Sequence, residues 1–155
     1  MTADESEIWS NRFKTPGVFP WVTAGSDIEA YFCQTDYLCA LYGVASETAE
    51  DWRNRAAKNV NGARKTFLEK RKKVSSFIWP DGGGPNAETM WTEKGGPSPA
   101  TVKGKQLHAA LKPIIKAEKF DDKLLNKFEI PTGYIVAPEL KALIEVAIKS
   151  SNVQE

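Results

Sequence analysis

Histidine is almost absent from this chain, His108 being the only one, and cysteine is nearly as scarce, with Cys33 and Cys39 six residues apart in one apolar stretch. Two thiols cannot build a disulfide framework, and their spacing is not that of a zinc ribbon. One imidazole leaves no cluster to hold a metal and no second histidine for a proton relay, so no metal or other cofactor is expected. The cysteines read as buried, reduced thiols of an intracellular protein. No apolar run approaches the roughly 18–20 residues that cross a bilayer, so no membrane partner is expected. The first ten residues are acidic and lack the apolar core of a secretion signal, which points to the cytoplasm. Neither sign of charge dominates: 21 Lys and Arg stand against 20 Asp and Glu. What is present is an ordinary soluble mix, 41% hydrophobic and 26% charged over 155 residues. That suits one domain, or one small domain with an appended subdomain.

The near-zero total conceals an uneven distribution. Residues 1–51 carry two basic and nine acidic side chains. Residues 52–73 carry nine basic side chains and one acid, Glu69. Residues 74–155 hold ten of each. The middle stretch attracts a phosphate backbone or an acidic partner. The acidic first third would lie against it until a polyanion displaces it.

The predicted organisation is mainly α, in four parts. Residues 1–25 carry Trp9, Phe13, Phe19 and Trp21 among Pro16, Gly17, Pro20 and Gly25, which reads as an irregular aromatic arm. Residues 26–79 read as a bundle with a long basic helix. Ser26 caps a first helix from Asp27, a second runs Asp36–Tyr42 to Gly43, and Ser46 caps a third. The series Ala49, Trp52, Ala56, Val60, Ala63, Phe67 then steps by three and four, as one amphipathic face requires, with Asn61-Gly62 as a bend or break. Ten of the 25 residues in 80–104 are Gly or Pro, so this is a linker, anchored by Met90-Trp91. Residues 105–155 form a C-terminal helical subdomain. Its first helix starts near Lys103 and is kinked or restarted at Pro113. A short helix at Asp121–Phe128, a β-like run Tyr134–Val136 and a last helix opened by Pro138 follow.

The segment Thr35–Ala57 reads TDYLCALYGVASETAEDWRNRAA. Its two helices around Gly43-Val44-Ala45 resemble the helix-turn-helix of DNA-binding proteins. The small Cys39 precedes the turn glycine by four. Val44 follows the glycine, Ala49 lies inside the second helix, and Trp52 comes three residues later. Cys39 and Ala49 must be small where the helices cross, and Gly43 supplies the turn geometry. The resemblance implies that Ser46 and Thr48 contact bases or phosphates. Arg53, Arg55 and Lys58 would contact phosphates, with Arg64, Lys65, Lys70, Arg71, Lys72 and Lys73 extending the track. Glu47, Glu50 and Asp51 depart from the pattern, because acids open the helix that should face DNA. Binding is therefore expected more than sequence reading.

The order of a helix-turn-helix, a basic helix and a separate C-terminal part is also similar to bacteriophage small terminase subunits. That likeness implies double-stranded DNA as partner, a homo-oligomer, a role in viral DNA packaging, and a location in the host cytoplasm or virion. A transcriptional regulator fits the same residues. The alternative is a structural protein of a viral particle or other large assembly, with further assembly proteins as partners. No catalysis is expected. Gly82-Gly83-Gly84 lacks the Gly-Lys-Ser/Thr ending of a phosphate loop, Thr92-Glu93-Lys94 has the wrong spacing for a metal-dependent nuclease, and Asp121-Asp122 reads as a helix cap.

Overall fold

The computed structural model describes residues 1–23 and 27–151, and Ser26, the expected cap, lies outside them. Eight α-helices and one 3-10 helix appear among the described residues, with no strand. The helices are α1 (Ala3–Phe13), α2 (Thr35–Tyr42), α3 (Ser46–Lys58), α4 (Ala63–Ile78), α5 (Ala87–Glu93), α6 (Gly104–Ala117), α7 (Lys123–Asn126) and α8 (Pro138–Ser151). The 3-10 helix spans Ile28–Cys33 and precedes α2. The mainly α class is as the sequence implies.

One core joins parts of the chain that composition separates. Leu38 of α2, Ala49, Trp52 and Ala56 of α3, and Leu107, Leu111 and Ile115 of α6 are all fully or almost fully buried together. The helix assigned to a C-terminal subdomain is thus packed against α3 and the 3-10 helix. Gly104, at its start, lies so close to Asp27 and to the Ala30 backbone that any Cβ would collide with them. Pro113 sits inside α6 without ending it.

Three elements differ from expectation. The arm begins with a true helix: Thr2 Oγ1 accepts from the Glu5 N–H at 3.2 Å and Glu5 Oε2 accepts from the Thr2 N–H at 2.8 Å, a reciprocal capping box. The expected linker contains α5, because Asn86 Oδ1 accepts from the N–H groups of Glu88 and Thr89. Trp91 does anchor it, 5.4 Å from the ring of Phe67. Tyr134–Val136 is not a strand; the Tyr134 ring packs on that of Tyr37 at 5.6 Å.

The long basic helix is two helices. α3 ends at Lys58 and α4 starts after Gly62, whose φ of +69° suits glycine. α1 is fastened to α4 at two points. Arg71 donates to both Glu5 oxygens at 2.6 and 2.8 Å. Arg12 donates to the carbonyls of Phe77 and Ile78, which the end of α4 leaves open. Contacts in that order mean the two helices run in the same direction.

Candidate nucleic-acid interface

The turn between α2 and α3 rests on Gly43. Its φ is +66°, and its N–H donates to the Cys39 carbonyl at 2.8 Å. Open space surrounds a would-be Cβ there, so the backbone conformation rather than crowding calls for glycine. Ala49 is fully buried between the helices, and Trp52 meets Tyr42 at 5.7 Å. The cap expected at Ser46 falls one residue earlier. Ala45 holds the N-cap position without a side-chain bond, and the Ser46 hydroxyl lies 3.9 Å from the Cys39 sulfur. Ser46 is exposed and Thr48 half-buried, while Glu47, Glu50 and Asp51 are exposed around them. The start of α3 therefore presents an acidic surface.

The cations divide by residue type. The chain holds five arginines, and each is engaged within the fold. Arg53 is half-buried and donates to Thr35 Oγ1 at 2.6 Å; burial pulls its pKa below the ordinary value. Arg55 bridges Asp51 at 3.1 Å and Glu118 at 2.6 Å. Arg64 donates to both oxygens of Glu88 at 2.9 Å. Arg71, expected on the phosphate track, is only 5% exposed and belongs to Glu5. The planar guanidinium suits these two-oxygen contacts, which is why arginine rather than lysine fills them.

Lysine is left outside. Lys58, Lys65, Lys72 and Lys73 are exposed, and none makes an ion pair among the described residues. Lys65, Lys72 and Lys73 stand seven and eight residues apart, so they share one stripe of α4 with Glu69 between them. Lys70 is half-buried beside Lys103 and Arg71; burial first, then these like charges, lower its pKa, while Asp27 opposes them.

A second basic row escaped the sequence reading. α6 contains Lys105, Lys112 and Lys116 and no acid. Those positions are seven and four apart, hence on one face. The ten acids of residues 74–155 hide this row in the count, and only the helical period reveals it. The C-terminal end of α6 adjoins α3: an open groove of about 610 Å³ is lined by Arg55, Lys58 and Asn59 on one side and Pro113, Ile114, Ala117 and Glu118 on the other.

The inner side of α6 carries His108, which is 7% exposed. Its Nε2 lies 3.0 Å from the Leu125 carbonyl, and a carbonyl only accepts, so Nε2 holds the proton. Burial lowers its pKa, and its ring stacks on Phe128 at 5.0 Å. No group of three or more His, Cys, Asp or Glu among the described residues is arranged to hold a metal ion, and no helix among them is long and apolar enough to cross a membrane. Comparison with protein-family models, with curated proteins and with solved structures finds no match for this chain.

Proposed function

We propose that the protein is a non-catalytic DNA-binding protein that grips duplex DNA by its phosphates, with α2, Gly43 and α3 as its helix-turn-helix. The observation that carries this reading is the lysine stripe of α4, Lys65, Lys72 and Lys73, exposed and without ion pairs beside arginines that are all occupied. Lysine is a mobile point charge suited to phosphate, whereas base reading in the major groove leans on arginine forks. With its arginines engaged and acids at the start of α3, this surface favours binding of any duplex over recognition of one sequence. Packaging of viral DNA accommodates such a mode more readily than an operator-specific regulator does.

The test is fluorescence anisotropy with two unrelated duplexes over a salt series. The expected result is equal affinity for both and a steep loss with salt. Replacing Lys65, Lys72 and Lys73 with Ala should flatten the log–log slope by about 0.9 per lost contact. Absence of binding at roughly 50 mM salt, where phosphate contacts are strongest, overturns the reading. A structural role in a particle is the second reading, favoured by the apolar side chains that the arm and α8 leave exposed, Phe19 and Ile148 among them.

A further inference from the structure

The charge on α6 is of one sign. Apart from the inward His108, its ionisable side chains are Lys105, Lys112 and Lys116. At 100° per residue these three fall within about 40° of one another. Lys105 and Lys116 are exposed, Lys112 is half-buried, and none makes an ion pair among the described residues. On α8, by contrast, Glu139 and Glu145 balance Lys141 and Lys149. Helix stability does not account for the α6 row. A cation in the first turn opposes the helix dipole, yet Lys105 stands there, next to Lys103 at the N-cap. Asp27, the acid at that end, lies against Gly104. At the other end, Glu118 is the one acid among the residues lining the groove to α3, and Arg55 already engages it at 2.6 Å. Lys58, on the opposite wall, is exposed and adds its charge to the row.

We propose that Lys105, Lys112 and Lys116, with Lys58 across the groove, are a second phosphate-contacting track for duplex DNA. The inference rests on the DNA reading and extends it from one lysine track, on α4, to two. The argument is charge complementarity. From Lys105 to Lys116 the helix rises about 16 Å, the rise of about five base pairs along a DNA strand. A run of like charges without internal partners gains most from a ligand whose own charges repeat along a line, because each contact releases a counterion. The same surface disfavours an anionic membrane. Such a helix needs large apolar side chains to enter the lipid, and the exposed side of α6 beside the row carries Ala109, Pro113 and Ala117.

The experiment is the salt dependence of duplex binding, read by fluorescence anisotropy on the full chain. Lys105→Gln, Lys112→Gln and Lys116→Gln together should flatten the log–log slope by about 2.7, three contacts at about 0.9 each, with unchanged helical circular dichroism. Adding Lys58→Gln should flatten it by about 0.9 more. A chain without the α4 lysines should still bind through α6, and combining both sets of substitutions should flatten the slope by their sum. Lys105→Gln alone should not lower the melting midpoint, since that cation opposes the dipole. The control removes three exposed lysines elsewhere, Lys14, Lys94 and Lys149, and should change the slope far less. If the α6 variant keeps the wild-type slope while the α4 variant flattens it, the second track is overturned and the α4 reading stands. A control that flattens the slope as much as the α6 variant overturns the second track too, because net charge alone would then explain the loss. A wild-type chain that binds no duplex at roughly 50 mM salt overturns both readings together.

Discussion

The inner face of α4 carries Ala63, Phe67, Arg71 and Ile78, and its outer face carries Lys65, Glu69, Lys72 and Lys73. Arg71 and Lys72 are sequence neighbours, yet one is sealed against Glu5 and the other stands in water. The helical period separates them by about 100°. Residue type completes the division, because a fork of donors can satisfy a buried carboxylate and an ammonium group stays better hydrated. Nine cations in one stretch thus do two jobs. Some hold the fold, and others remain available to a polyanion.

The comparison is broken most directly at Arg71. Arg71→Ala should cost about 3–5 kcal/mol in urea unfolding, because it leaves the buried Glu5 without its counter-charge, holding only the Thr2 N–H. Replacing both partners with apolar residues of similar volume should recover much of that loss. If Arg71→Ala unfolds no earlier than wild type, the inner face is not structural as described.

Acid offers a second test. Arg71 holds the Glu5 carboxyl at about 2, below its usual 4.5. A carboxyl whose pKa is lowered by folding stabilises above the unfolded value and loses that contribution as pH falls. Stability should therefore decline between about pH 4.5 and 2, by up to about 3 kcal/mol. His108 acts in the same sense from about pH 6.5 downward, since burial lowers its pKa and favours the neutral ring. Glu5→Gln should remove the lower part of the decline and leave the upper part; a profile unchanged in Glu5→Gln would contradict the assignment.

Gly43→Val should cost about 1–2 kcal/mol through its positive φ, read as a lower melting midpoint. An unchanged midpoint would mean that the turn relaxes at no cost. The smallest effect belongs to the outer face. Lys65→Ala, Lys72→Ala and Lys73→Ala should each move stability by no more than about 0.5 kcal/mol while weakening DNA binding. A large loss of stability there would erase the contrast between the two faces.

Several helices were legible because their signals are local. Gly43 ends α2, Pro138 opens α8, and apolar steps of three and four mark α3. The break between α3 and α4 is harder to read. Four residues separate the helices, close to one turn, so Ala56, Val60 and Ala63 keep phase across it. α1 was hidden by the Pro and Gly of the residues after it, although Thr2 and Glu5 form a capping box visible in the sequence. The fate of the arginines was not legible. Glu5 lies 66 residues from Arg71, and Glu118 lies 63 from Arg55. No local pattern announces such pairs, so a segment count of charge overstates what a ligand can reach. Of the acids in the first third, Glu5 pairs with Arg71 in the interior and Asp51 with Arg55 at the surface.

The double fastening of α1 has a mechanical consequence. Glu5 and Arg12 are seven residues apart, and so are Arg71 and Ile78, which makes two anchors two turns apart on helices running the same way. Such a splint carries its load in parallel when α1 is pulled along its own axis, and both anchors must fail together. Pulled away from one end, it fails one anchor at a time. A partner that works α1 loose from its end therefore needs far less force than one that drags it lengthwise, so detachment has a built-in direction.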